Sequence, residues 1–371
     1  METKMRAALR FRVLIVLMIV FGICSLASAA EEDMGIWKPT NLKPAYLTGP
    51  SGVRVGPTGD VWAFLDGPTS QTPLVLVRST DGGDSWTTVT QQITSSNWLE
   101  PLVLDSQNCA WVYTPEWGLS RFPPDVDLLT TTGLGLVAPS SPTPIVFSPD
   151  GYLYRINFDG GVDRISMSGQ VRTTPFLEGP IMDLAVDSKG ALFAAGNKVY
   201  RSHDGGLTWE TVFQDSTGNI VHQISVTQDD TVYFTYPNGE RSTDGGETWE
   251  SFDPGWSWVG PLQAVWGLPD GSIASAVARA YHPGALSAAW ADDPPVPMWG
   301  SVVRSWDKGN TWVEFLPGVA REDYQEGWVV GTHGDRVYAY FRFVDGKTSQ
   351  NGLYRMLLPQ RAAAGKDWPK Y

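Results

Sequence analysis

The chain has 371 residues, with 40 acidic against 27 basic side chains and a formal net charge of −13, and 42% of it is hydrophobic. A surface this acidic repels nucleic acid and anionic lipid, and so much apolar chain is enough for one large buried core. Two cysteines exclude a disulfide-built scaffold, so the core itself must hold the fold.

Residues 1–29 read as a secretory signal. Lys4, Arg6, Arg10 and Arg12 flank the start of an apolar run, Val13–Phe21, and Ala27-Ser28-Ala29 supplies small residues for cleavage. The run is too short to span a bilayer and no comparable run follows, so no membrane span is expected. Cys24 invites a lipid anchor, but bulky Ile23 precedes it where a small residue is required, which disfavours a lipoprotein. Cleavage removes those four basic residues and Glu2, leaving 23 basic against 39 acidic side chains and a net charge of −16. The remaining cysteine, Cys109, lies in the apolar run Cys109–Tyr113 and is expected to be a buried, inert thiol. A secreted or periplasmic monomer is the expectation.

Four octets further along are nearly the same. They are Ser79-Thr-Asp81-Gly-Gly83-Asp-Ser85-Trp86, Ser202-His-Asp204-Gly-Gly206-Leu-Thr208-Trp209, Ser242-Thr-Asp244-Gly-Gly246-Glu-Thr248-Trp249 and Ser305-Trp-Asp307-Lys-Gly309-Asn-Thr311-Trp312. An arginine precedes each: Arg78, Arg201, Arg241 and Arg304. The aspartates are 123, 40 and 63 residues apart, which fits units of about 40 residues with one insertion near Arg279–Gly300. Around Met182–Phe213 the unit reads as four short strands with polar turns, and the octet lies between the third and fourth. The same cadence recurs in Gly52–Val89, Trp98–Asp125, Ile145–Val171, Val221–Phe252, Leu262–Phe315 and Trp328–Leu358. The expected fold is therefore all-β: one propeller over 51–358, with seven four-stranded blades and six as the alternative. The segment 30–50 is expected to complete the last blade and close the ring, which would leave no open edge. Residues 359–371 read as a tail.

The octets resemble the Asp-box, or bacterial neuraminidase repeat, of sialidase-like β-propellers. That resemblance implies a structural role for Asp81, Gly83, Trp86, Asp204, Gly206, Trp209, Asp244, Gly246, Trp249, Asp307, Gly309 and Trp312, on the face opposite the active site. Glycine permits left-handed backbone, the carboxylate accepts turn N–H groups, and tryptophan buries a ring between sheets.

Function is then expected on the other face. Its loops carry Trp256 and Trp258, an insertion with Tyr281, His282, Trp290, Asp292, Asp293 and Trp299, and a polar run Arg321-Glu322-Asp323-Tyr324-Gln325-Glu326, with Arg342 beyond. Aromatic rings beside carboxylates and arginines suit the stacking and hydrogen bonding that hold sugars, so Trp256, Trp258, Tyr281, His282, Trp290, Trp299, Arg321 and Arg342 are the candidate ligand-binding residues. No metal site or cofactor is expected, because His282 has no histidine neighbour in the sequence and Asp292-Asp293 alone make an unsupported Ca²⁺ pair. Sialidases carry a Phe/Tyr-Arg-Ile-Pro motif in the first blade; here the corresponding stretch is Val53-Arg54-Val55-Gly56, without Ile-Pro. The reading is a propeller that binds carbohydrate or an extracellular protein. The alternative is a glycoside hydrolase acting on a neutral polysaccharide or, less favoured, a sialidase. Its carboxylates would come from Glu116, Glu178, Asp293, Glu322 and Glu326, with Tyr324 completing a nucleophile pair.

Overall fold

Short runs of β-branched and aromatic residues, punctuated by Gly, Asp and Asn, fold as strands, and no α-helix occurs among the described residues. The computed structural model describes residues 35–42, 52–65, 74–93, 102–114, 118–124, 132–133, 144–157, 159–174, 177–216, 218–234, 239–252, 265–278, 300–315, 319, 324–343 and 351–358. They build seven four-stranded antiparallel sheets, the blades of a β-propeller.

A two-residue strand, β1 (Lys38–Pro39), comes first in the chain. Blade one is β2 (Val53–Val55), β3 (Val61–Leu65), β4 (Leu74–Ser79) and β5 (Thr87–Ile93). Blade two is β6 (Val103–Leu104), β7 (Ala110–Thr114), β8 (Gly118–Phe122) and β9 (Thr132–Gly133). Blade three is β10 (Ile145–Phe147), β11 (Leu153–Ile156), β12 (Val162–Ile165) and β13 (Val171–Thr173). Blade four is β14 (Ile181–Val186), β15 (Leu192–Gly196), β16 (Val199–Ser202) and β17 (Glu210–Phe213). Blade five is β18 (Ile224–Val226), β19 (Val232–Phe234), β20 (Gly239–Ser242) and β21 (Glu250–Phe252). Blade six is β22 (Trp266–Gly267), β23 (Ile273–Ala278), β24 (Gly300–Ser305) and β25 (Val313–Glu314). Blade seven contributes β26 (Tyr324–His333), β27 (Arg336–Phe343) and β28 (Gly352–Leu357), and β1 is its fourth strand.

The first strands pack side by side around the centre, and β26 meets β2 to complete the circle. Between blades five and six the tie is a hydrogen bond, Val265 N–H to Ser225 Oγ at 3.1 Å. Middle strands are covered on both sides, which is why β15 is buried at every position rather than in alternation. Each seam between neighbouring blades holds its own hydrophobic cluster. Phe193, Val199, Val221 and Phe234 fill the seam between blades four and five, for example, and Trp62, Phe64, Leu102 and Phe122 that between one and two.

The turns from first to second strand share a residue in the left-handed region. In blade four, Asp187 Oδ1 accepts the N–H groups of Lys189 (2.9 Å) and Ala191 (2.7 Å), and Gly190 turns the chain at φ 90°. Asn108 and Asp230 take the same left-handed position without being glycine (φ 63° and 59°), as short polar side chains can. Both also reach the preceding blade: Asn108 donates to Asp60, and Asp230 accepts from Ser188.

Closure rests on the N-terminal strand. Lys38 and Pro39 lie opposite Arg355 and Tyr354, Gly35 N–H donates to Leu357 O (2.8 Å), and Thr40 N–H donates to Leu353 O (2.8 Å). Just before β1, Trp37 buries its ring against Phe315 of blade six and Phe341 of blade seven. Two blades thus grip one residue.

Candidate functional site

All four octets occupy the turns from third to fourth strand, at the ends of β4, β16, β20 and β24. Their polar groups are turned inward on the loop. In the third octet Ser242 Oγ donates to Asp244 Oδ1 (2.7 Å) and accepts the Gly246 N–H (2.7 Å). Thr248 donates its N–H to Oδ1 (2.9 Å) and its hydroxyl to Oδ2 (2.6 Å) of the same carboxylate. Asp81, Asp204 and Asp307 repeat this arrangement with Ser79 and Ser85, Ser202 and Thr208, and Ser305 and Thr311. Gly83, Gly206, Gly246 and Gly309 all have positive φ, between 81° and 99°. The tryptophan closes the loop: Trp86, Trp249 and Trp312 donate Nε1–H to the carbonyls of Gly83, Gly246 and Gly309, the fifth residue of each octet.

Those donations hold the carboxyls down. The Thr208 and Thr248 hydrogen bonds bring Asp204 and Asp244 to about 2. At Asp81 and Asp307 burial pushes upward, yet the serine and threonine donations outweigh it and the net shift is downward. A carboxylate with both oxygens occupied and a depressed pKa is a poor base and a poor metal ligand in waiting. This face is built for holding the loops.

A second repeat appears only in three dimensions. The third strand of every blade carries an arginine at one register: Arg78, Arg121, Arg164, Arg201, Arg241, Arg304 and Arg355. Its partner on the second strand is aromatic in six blades (Trp62, Trp111, Tyr154, Phe193, Tyr233 and Tyr338), with Ala274 in the other. Several of these arginines reach across the seam to a backbone carbonyl of the next blade. Arg201 donates to Gly245 O (2.6 Å), Arg241 to Lys308 O (2.7 Å), Arg355 to Gly82 O (2.8 Å) and Arg78 to Pro124 O (2.7 Å). In two seams the acceptor is an octet glycine, in a third it is the octet's Lys308, and in each the preceding blade's arginine interlocks with the octet turn. The sequence marks four of the seven, because Arg121, Arg164 and Arg355 are not followed by an octet.

The opposite face is formed by the loops from second to third strand and between blades. Trp256, Trp258, Tyr281, His282, Trp290, Asp293, Trp299, Arg321, Glu322 and Glu116 lie outside the described residues. Two residues expected in a loop lie elsewhere. Tyr324 and Glu326 are not loop residues: they begin β26, and the backbone register sets Tyr324 opposite Phe343 and Glu326 opposite Arg342. Arg342 is exposed near the end of β27. Glu178, one of the possible hydrolytic carboxylates, is paired at 2.6 Å with Lys198 Nζ, which holds it below its ordinary value, the wrong direction for a general acid. Arg54 sits on the innermost strand β2 and donates Nη1–H to Val53 O (2.7 Å). Burial lowers it to about 10.

The inner strands add a titratable group that sequence reading missed. Asp183 on β14 accepts the Leu184 N–H (2.9 Å) on one oxygen and the Ile224 N–H of blade five (2.9 Å) on the other. Burial pushes it up to about 7 from 3.8, against those two donations. Between about pH 4 and 7 the folded chain keeps a proton that the unfolded chain has released, so stability falls as pH rises through that window and levels off above it. Asp183→Asn, which cannot titrate and keeps one carbonyl oxygen for the two backbone N–H donors, is expected to flatten this slope. Urea midpoints at pH 4.5 and 8 check it; identical slopes in the two proteins would remove Asp183 as the cause. The octet aspartates act with the opposite sign, since their stabilisation is lost as pH falls below about 4 toward 2. Among the described residues no group of three or more His, Cys, Asp or Glu side chains could hold a metal ion.

These features define a seven-bladed β-propeller. No family model matches the chain. A 120-residue stretch is 30% identical to a xyloglucanase of Paenibacillus sp., covering 31% of this chain and 11% of that protein. The chain thus spans about a tenth of the curated relative it matches. Among solved structures, a catalytically inactive virginiamycin B lyase from Staphylococcus aureus with quinupristin superimposes with a TM-score of 0.57 at 14% identity, over 86% of this chain and 98% of that one. YCF48 bound to D1 peptide gives 0.55 at 15% identity, over 87% and 97%. YCF48 from Cyanidioschyzon merolae gives 0.56 at 14%, over 87% and 99%. At such identities the likeness is one of fold.

Proposed function

We propose that the chain is an exported Asp-box propeller that binds a carbohydrate or an extracellular protein through the face opposite the octets. One observation carries the reading: both oxygens of all four octet carboxylates are used inside their own turns, so these repeated carboxylates have no chemistry to spare. The other face carries the long insertions, and their tryptophans and tyrosine suit stacking on a sugar ring or burial against a protein partner. Solved propellers of this shape with quinupristin or D1 peptide agree with a ring serving as a platform. A glycan array and a pull-down with the mature protein test this, comparing the parent with Trp256→Ala and Trp258→Ala. Loss of about tenfold or more in affinity is expected; a ligand indifferent to both substitutions would count against this face.

A second reading, glycoside hydrolysis, is favoured by the short similarity to a xyloglucanase. Release of reducing ends from xyloglucan, abolished by Glu322→Gln or Glu326→Gln, would establish it and displace binding alone. Retained turnover in both variants would remove these two carboxylates.

A further inference from the structure

On the octet side, the seam between blades three and four departs from every other seam. In blades four and five the third-strand arginine faces a glutamate on the fourth strand: Arg201 pairs with Glu210 (2.7 Å) and Arg241 with Glu250 (2.9 Å). In blade three the residue at that register is Arg172, directly opposite Arg164. Like charges so placed repel. Blade seven also sets a cation there, Lys38, but Arg355 is held by Asp84 (2.7 Å) and by Gly82 O. Arg164 lies over the Tyr152 ring, 3.5 Å from its centroid, and its ion pair is a long one, to Asp150 (3.4 Å), whose side chain is 54% exposed. Arg172 makes no ion pair or side-chain hydrogen bond among the described residues.

Unmet polar atoms gather at the same place. Of the eight buried side-chain nitrogen or oxygen atoms without a partner among the described residues, four belong here: Arg164 Nε, Arg172 Nη2, Thr174 Oγ1 and Trp209 Nε1. Three of them border one turn, and Arg172 lies opposite Arg164. Arg164 lies against Gly205, and Thr174 and Trp209 lie against Gly206. Thr174 is 4% exposed, so its hydroxyl has no ready access to bulk water. Trp209 lacks the carbonyl bond that Trp86, Trp249 and Trp312 make. Buried donors in such number imply a missing acceptor.

We propose that this seam binds an external carboxylate carried by an acidic segment of a partner protein, held by Arg164 and Arg172. The chemistry is set by the sister blades, where each of the other six third-strand arginines pairs with an acidic side chain of the chain itself at 3.0 Å or less, whereas Arg164 reaches Asp150 at 3.4 Å and Arg172 has no ion pair among the described residues. A guanidinium pair is matched to a carboxylate by fork geometry. This site is independent of the opposite face, so it survives if the binding reading given above fails.

The test is calorimetric titration of the mature protein with a capped tetra-glutamate peptide at low salt, and in parallel with inorganic phosphate. The protein's own net negative charge disfavours non-specific binding of an acidic peptide. Saturable binding by the parent is expected, weakened about tenfold or more in Arg172→Glu, which supplies the glutamate of blades four and five, and also in Arg172→Gln. Lys198→Gln, on the opposite face, is expected to bind like the parent. Three results would overturn the proposal: no binding by the parent, as when a buried water meets these donors; equal binding by Arg172→Gln; or phosphate binding more tightly than the peptide. Arg172→Gln keeps the test informative if the charge reversal misfolds.

Discussion

Trp37→Ala is expected to cost about 3–5 kcal/mol, the range for deleting a buried tryptophan. The ring is 3% exposed, edge-on to Phe315 (5.6 Å) and Phe341 (5.3 Å), and its Nε1–H donates to Phe315 O at 3.0 Å. The strand it precedes has two residues, too few to hold a ring shut through backbone pairing alone. Removing the ring leaves a cavity between blades six and seven, strands the Phe315 carbonyl, and loosens the strand that completes blade seven. The expected readout is a lower denaturant midpoint, with a second, earlier transition if the closing strand detaches first. A cost under about 1 kcal/mol would mean that Gly35, Thr40 and the register bonds suffice for closure.

The second large effect is expected at Arg201. Its side chain is 6% exposed and donates to Glu210 Oε1, to Glu247 Oε1 and to Gly245 O, so one guanidinium ties blade four to the octet of blade five. Both carboxylates are more than half exposed and rehydrate when it is removed, whereas the Gly245 carbonyl loses its donor. Arg201→Ala is expected to destabilise by about 2–4 kcal/mol. Arg201→Lys should recover less than half of that, because an ammonium cannot serve three separated acceptors in one plane. Full rescue by lysine in chemical denaturation would show that charge alone matters at this register and that the planar interlock does not.

Much of the fold was legible because a propeller repeats its turns. Asp204 and Asp244, 40 residues apart, set the length of the unit, and Ser148-Pro-Asp-Gly151 and Pro269-Asp-Gly271 marked turns in blades with weaker signals. A tight turn needs a particular residue at a particular left-handed position, so it writes itself into the chain. The interlock was half hidden. Arg121, Arg164 and Arg355 look like ordinary strand residues until register aligns them with Trp111, Tyr154 and Tyr338. Tyr324–Glu326 misled in the other sense: a dense polar run reads as a loop, yet the innermost strand of blade seven is ten residues long and includes it.

The chain alone determined what depends on neighbours within one turn: the octet hydrogen bonds and the positive φ at their glycines. Packing decided everything that depends on which blade lies beside which. Asp183 reads as an ordinary surface acid between Met182 and Leu184; only the adjacent blade five, with its Ile224 N–H and covering side chains, makes it a carboxyl that titrates near neutrality. Arg172 reads as one more basic residue; only its place opposite Arg164, where sister blades carry glutamate, leaves it without a partner. Local geometry is encoded by short-range sterics and hydrogen bonds, whereas charge balance and desolvation are set by contacts between residues that the ring alone brings together.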